Sequence, residues 1–172
     1  MKDTILSAAI DVIALHGLNN WTVEEVANRA HCAKGLVNYH YRSKQDLLAR
    51  AAETIRDNRS ARRLATAQHP GTQALDRLWS TLTEEVDSGW FAAWISLVAA
   101  ESPYRRAAAG MPSEAKGFAL ALGRSLEVGD RLVPHAPLLH AVLDGLALRL
   151  LQGAPASETE EAYHQFWLTV LP

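Results

Sequence analysis

Ala30-His31-Cys32-Ala33-Lys34-Gly35-Leu36-Val37-Asn38-Tyr39-His40-Tyr41-Arg42-Ser43-Lys44-Gln45-Asp46-Leu47-Leu48 reads as the end of one short helix, a three-residue break, a second short helix and the start of a third. Within 34–41, Val37 and Tyr41 fall on one face and Lys34 and Asn38 on another, so an apolar side can pack while a polar side stays free. Ser43, with Asp46 three residues on, is a helix start, and Leu47, Leu48, Ala51 and Ile55 continue it as an apolar stripe. Upstream, Thr22-Val23-Glu24-Glu25 is a capping box, followed by the stripe Val23, Val26, Ala27 and Ala30. Further back, Leu6, Ala9, Ile10 and Ile13 keep helical spacing behind an Asp3 cap, and Gly17 supplies the stop. Two short helices joined by a tight turn and braced by a third form the unit that sets a recognition helix in the DNA major groove.

Helical spacing continues to the far end of the sequence, and nothing alternates as a strand does. The helix opened by Ser43 is expected to run to Pro70-Gly71, and further helices are expected over 73–87, 90–101, 113–128, 136–152 and 157–170. A second capping box, Ser157-Glu158-Thr159-Glu160, opens the last. The expected fold class is all-α with about nine helices.

Of 172 residues, 48% are apolar, enough to bury a core, and the single cysteine, Cys32, excludes an internal disulfide framework. No apolar run approaches the roughly 18 residues of a membrane span, and the amphipathic start is unlike a signal peptide. A cytoplasmic protein without a membrane partner is expected. The net charge of −2 conceals a gradient: residues 31–50 carry Lys34, Arg42, Lys44 and Arg50 against Asp46, whereas 51–172 hold 11 basic and 14 acidic residues. A local basic patch is what a nucleic-acid contact needs.

The quoted run resembles the DNA-binding signature of the tetracycline-repressor (TetR) family, in which a small residue and a glycine precede an aromatic-rich recognition helix, followed by a basic residue and a leucine pair. Gly35, Tyr39, His40, Tyr41, Lys44, Leu47 and Leu48 carry the match, which is strong over about the first fifty residues. The resemblance implies a helix-turn-helix domain over 1–46 and a helical ligand-binding and dimerisation domain over 47–172. It implies base or groove contacts from Lys34, Gly35, Leu36 and Asn38, and backbone contacts from Thr22, Tyr39, His40 and Lys44. The partners it implies are a palindromic double-stranded operator, a small-molecule effector and a second copy of the chain. The function it implies is that of a transcriptional repressor released from its operator by a small-molecule ligand. Three positions depart from the pattern. His31 stands where glycine is usual, so a left-handed backbone is expected there. Ala33 replaces a hydroxyl residue and removes a cap, and Asn38 replaces an aromatic and offers an amide to an adenine edge.

Residues 90–101 and 144–149 resemble the choline- and betaine-associated BetI-like branch. Trp79, Trp90, Trp94, Glu101 and Phe118 are the candidate pocket residues, since ring faces attract cations; core packing is the alternative role. The segment 137–151 is apolar around much of its circumference and is expected to be buried on two sides. Leu139, Val142, Leu143, Leu146 and Leu150, with Tyr163, Phe166, Trp167 and Val170, are the candidate dimer interface. No nucleophile–base motif, phosphate loop or metal-ligand spacing occurs, so no enzyme activity, cofactor or metal is expected. His31 and Cys32 lack metal-ligand partners, and Cys32 is expected to pack in the turn. The alternative to a regulator is a helical ligand-binding or interaction protein without DNA binding.

Overall fold

The computed structural model describes residues 1–100 and 104–171, and among them every regular element is a helix. The order is α1 (Lys2–His16), α2 (Val23–Arg29), α3 (Lys34–His40), α4 (Lys44–Thr66), α5 (Gln73–Asp87), α6 (Trp90–Ala99), α7 (Tyr104–Ala108), α8 (Pro112–Ser125), a 3-10 turn (Val133–His135), α9 (Ala136–Leu151) and α10 (Ala156–Val170). The expected helices are all present; α7, at five residues, is too short for periodicity to reveal.

Helix ends follow the local chemistry unevenly. The capping box at Thr22 forms, and Gly17 ends α1 at φ 73°. Asp3 lies inside the first turn of α1, behind Met1 at the cap. The box expected at Ser157 does not form. Pro155 takes the cap position and α10 begins at Ala156, so Ser157 lies inside the first turn instead of at the cap, and the Thr159 hydroxyl donates to the Pro155 carbonyl at 3.0 Å.

The chain divides into two compact units, 1–58 with 88–109, and 59–87 with 110–172. In the first, Ile5, Ile10 and Ile13 of α1 share a core with Val26 and Ala27, Val37 and Tyr41, Leu47, Ala51 and Ile55, and Ala93 and Leu97. Gly89 is needed there: it opens α6 in the left-handed region at φ 79°, and an added Cβ would stand 3.1 Å from the Ala14 methyl.

In the second unit, α5, α8, α9 and α10 enclose Leu78, Leu82, Phe118, Leu122, Leu139, Leu143, Tyr163 and Trp167. The Tyr163 hydroxyl, buried with its ring, donates to the Leu75 carbonyl at 2.7 Å. After α8 the chain doubles back so closely that a Cβ on Gly123 would meet the Gly129 carbonyl oxygen at 2.1 Å. The Val128 and Gly129 N–H groups both donate to the Gly123 carbonyl.

Candidate DNA-binding site

The site is built on the turn between α2 and α3. Thr22 Oγ1 accepts from the Glu25 N–H at 3.2 Å, and Glu25 Oε2 accepts from the Thr22 N–H at 2.6 Å, closing the start of α2. That backbone donor, then the Thr22 hydroxyl, lowers the Glu25 carboxyl below its ordinary pKa. At the other end, His31 has φ 51°, the left-handed conformation expected from its place in the turn. This lets the His31 N–H reach the Asn28 carbonyl and the Cys32 N–H reach that of Ala27. Cys32 is half-buried and packs against the core. Asp11 of α1 and Arg29 of α2 pair at 2.8 Å.

Helix α3 starts without a side-chain cap at Ala33. Val37 and Tyr41 are 1% and 2% exposed and anchor it, while Tyr39 is 81% exposed. Lys34, Gly35 and Asn38 are exposed beside it, and a Cβ on Gly35 would meet nothing within 4 Å. Leu36, expected at the groove, is half-buried and packs partly against the core. The rings of Tyr39 and His40 meet edge to face at 5.2 Å.

Lys44 is more constrained than expected. Its ammonium donates to the Trp21 carbonyl at 2.7 Å and stands 4.1 Å from the centre of the Trp21 ring, while the Trp21 indole donates to the Leu18 carbonyl. One N–H of three is therefore committed to tying α4 to the entry of α2. The start of α4 is closed reciprocally: Ser43 Oγ accepts from the Asp46 N–H and the Asp46 carboxylate accepts from the Arg42 N–H.

Sequence reasoning missed a neighbouring feature. A polar cleft of about 420 Å³ is lined by Lys2, His40, Tyr41, Arg42, Asp46 and Arg50. Arg42 and Arg50 were visible in the local charge count, but Lys2 reaches the cleft only through folding, with the Tyr41 hydroxyl donating to its carbonyl at 3.2 Å.

The candidate effector residues are divided between the two units. Trp79 and Phe118 belong to the second unit and Trp90 and Trp94 to the first; Glu101 lies outside the described residues. Trp90 and Trp94 pack against the first unit's core, and the Trp94 indole donates to the Ala108 carbonyl. Trp79 lies against Tyr163, and the 3% exposed Phe118 meets His140 edge to face.

Of the candidate interface, Leu139, Leu143, Leu146, Tyr163 and Trp167 are at most 7% exposed within the single chain. They fill the subunit's own core and have almost no surface left for a partner. Val142, Leu150, Phe166 and Val170 keep partial exposure. The outward apolar surface of α9 and α10 is completed by Leu138, Leu148, Leu151 and Leu168.

The second unit also holds a buried charged network that the sequence did not disclose. Arg59 pairs with Glu85 at 2.6 Å and with Asp144 at 2.8 Å, and Arg63 pairs with Asp144 at 2.5 Å. Burial raises the Glu85 carboxyl, against the pull of Arg59. Burial also works against ionised Asp144, but Arg63 and Arg59 outweigh it and its pKa is lowered. Arg63 Nη1 lies 2.9 Å from His140 Nδ1; because arginine only donates, Nδ1 accepts and the proton sits on Nε2. That Nε2 is buried with no hydrogen-bond partner among the described residues. Burial, then Arg63, pushes the His140 pKa down to about 4.

The helix-turn-helix geometry and the all-α scaffold define a DNA-binding type of architecture. Residues 5–51 match the model for bacterial regulatory proteins of the tetR family. Among solved structures, a TetR-family member from Streptomyces coelicolor is 24% identical over 99% of this chain and 97% of its own, with a TM-score of 0.67. FadR from Bacillus subtilis, in complex with stearoyl-CoA, is 15% identical over 95% and 96%, with a TM-score of 0.69. EbrR, a multidrug binding protein complexed with malachite green, is 22% identical over 99% and 98%, with a TM-score of 0.69. A search of curated proteins returns no match. Residues 5–51 are thus similar to the tetR-family DNA-binding domain, and the chain shares the fold of these solved structures.

Proposed function

We infer that the protein is a DNA-binding transcriptional regulator that responds to a small molecule. The observation that carries this reading is the surface of α3: Tyr39 is 81% exposed on a helix whose other face is locked into the core through Val37. A helix held rigidly with Lys34, Gly35, Asn38 and Tyr39 outward can enter the major groove, and the Asn38 amide suits an adenine edge. Lys44 keeps two N–H groups for a phosphate beyond the one bound to Trp21. Thr22, Tyr39 and His40 complete the backbone contacts, and partly covered Leu36 offers an apolar edge.

A second copy pairing through the outward faces of α9 and α10 would match a palindromic site, whose half-sites lie about 34 Å apart, one turn of DNA. Leu168 is 73% exposed and Leu138 49%, an apolar surface that association would cover. FadR and EbrR, which share the fold, hold stearoyl-CoA and malachite green; by analogy this chain takes an effector in its 47–172 region, with Trp79 and Phe118 the candidate aromatic contacts. A DNA-bound regulator acts in the cytoplasm, and among the described residues no helix is long and apolar enough to cross a membrane. A ligand that favours one of two conformations shifts DNA affinity; repression relieved by ligand is the proposed direction.

Light scattering and duplex binding across a salt series test this together. A dimer that binds duplex DNA with a steep loss of affinity on adding salt supports the reading. A monomer indifferent to DNA at every salt concentration overturns it.

A further inference from the structure

We propose that the cleft formed by Lys2, Arg42 and Arg50 is a phosphate-binding surface that grips the DNA backbone beside the groove entered by α3. This rests on the DNA-binding reading above. The three cations come from the first turn of α1, the α3–α4 turn and the second turn of α4, and they converge on one cleft of about 420 Å³. His40 lines it as well, so the cleft begins one residue beyond the exposed Tyr39 and is continuous with the recognition surface.

The charges are arranged for an anion. Among the described residues, Lys2 and Arg42 are in no ion pair, whereas Arg50 pairs with Glu53 at 2.8 Å across an exposed surface. Asp46, the carboxylate lining the cleft, is occupied by the Arg42 N–H; Asp3 lies next to Lys2 and acts on Tyr41. Lysine at the first position of a helix is also opposed by the helix dipole, so Lys2 is not explained by the stability of α1. Lys44, by contrast, has one of its three N–H groups tied to Trp21, whereas the Lys2 ammonium meets only the Tyr41 ring, 5.8 Å from its centre, and Arg42 is in no ion pair among the described residues.

Dimensions place these groups at phosphates. A seven-residue helix is roughly 10 Å long, and the major groove is about 12 Å wide, so residues just beyond the end of α3 meet a wall of the groove. Each phosphate contact steepens the dependence of log affinity on log salt by about 0.9, through counterion release.

The test is duplex binding by Lys2→Ala/Arg42→Ala at salt concentrations from about 50 to 200 mM. The wild type should lose roughly 12-fold more affinity over that range than the double variant, a slope difference of about 1.8. Lys2→Arg/Arg42→Lys should restore the wild-type slope. Arg77→Ala/Arg124→Ala, which removes two exposed cations of the second unit, should leave the slope as it is. Circular dichroism and melting temperature establish that all variants are folded; both target side chains are exposed and the Tyr41 bond goes to the Lys2 backbone. A folded double variant with the wild-type slope overturns the cleft assignment, as does equal flattening in the Arg77/Arg124 control. A wild type that binds no duplex overturns the DNA-binding reading itself, which is a different failure.

Discussion

Acid should weaken the second unit through one residue, His140. Its Nδ1 faces Arg63 at 2.9 Å, and burial followed by the Arg63 charge brings its pKa from 6.5 to about 4. Between those values the unfolded chain binds the proton and the folded chain does not, so stability is complete above about pH 6.5 and drains away as pH falls towards 4. At pH 5 the imbalance is worth about 2 kcal/mol relative to pH 8. Glu85, whose carboxyl is raised by burial, contributes with the opposite sign as the pH drops towards its own titration. It does so equally in a variant that changes only position 140. His140→Asn keeps an acceptor for Arg63 and removes the titration. Urea unfolding followed by tryptophan fluorescence at pH 8 and pH 5 should show wild type losing about 2 kcal/mol more than the variant. If both lose the same amount, the imidazole is not held neutral by its surroundings and the reasoning fails.

Gly123→Ala should cost about 1–3 kcal/mol, because its methyl would overlap a backbone oxygen that cannot swing aside; a lowered melting temperature checks it. His31→Gly should leave stability unchanged or raise it by up to about 1 kcal/mol, by removing the left-handed strain at φ 51°, as read by thermal melts. Asn38→Ala should relax preference at one or two operator base pairs by about 1–3 kcal/mol each while leaving the salt slope intact, measured by binding to single-substitution duplexes.

What the sequence made legible was local. The Thr22 box, the turn at His31 and the inward pair Val37 and Tyr41 each follow from residues within a few positions of one another. The partner of Lys44 lies 23 residues upstream at Trp21, and nothing in spacing links them. The Arg59–Asp144 contact spans 85 residues, and charged residues at helical spacing read equally well as a solvated face until neighbouring helices close over them. The interface candidates Leu139, Leu143 and Tyr163 are buried within the single chain, which the sequence did not disclose for a related reason. A helix that is apolar all round does not disclose which stripe its own subunit covers, and here the subunit takes the larger side chains. The aromatic candidates were grouped by composition, and composition does not say that Trp79 and Phe118 belong to one compact unit and Trp90 and Trp94 to the other.

The core shared by residues 1–58 and 88–109 has a consequence for how such proteins can be taken apart and recombined. Ala93 and Leu97 of α6, fully buried, belong to the same core as Ile5, Ile10 and Val37. Severing the chain after residue 46 would leave that core without α6 and the inner face of α4, exposing oily side chains wherever the head was transplanted. A graft that preserves the head must carry three crossover points instead of one, so the reading end of this protein is not a detachable cartridge but a part woven through the middle of its own sequence.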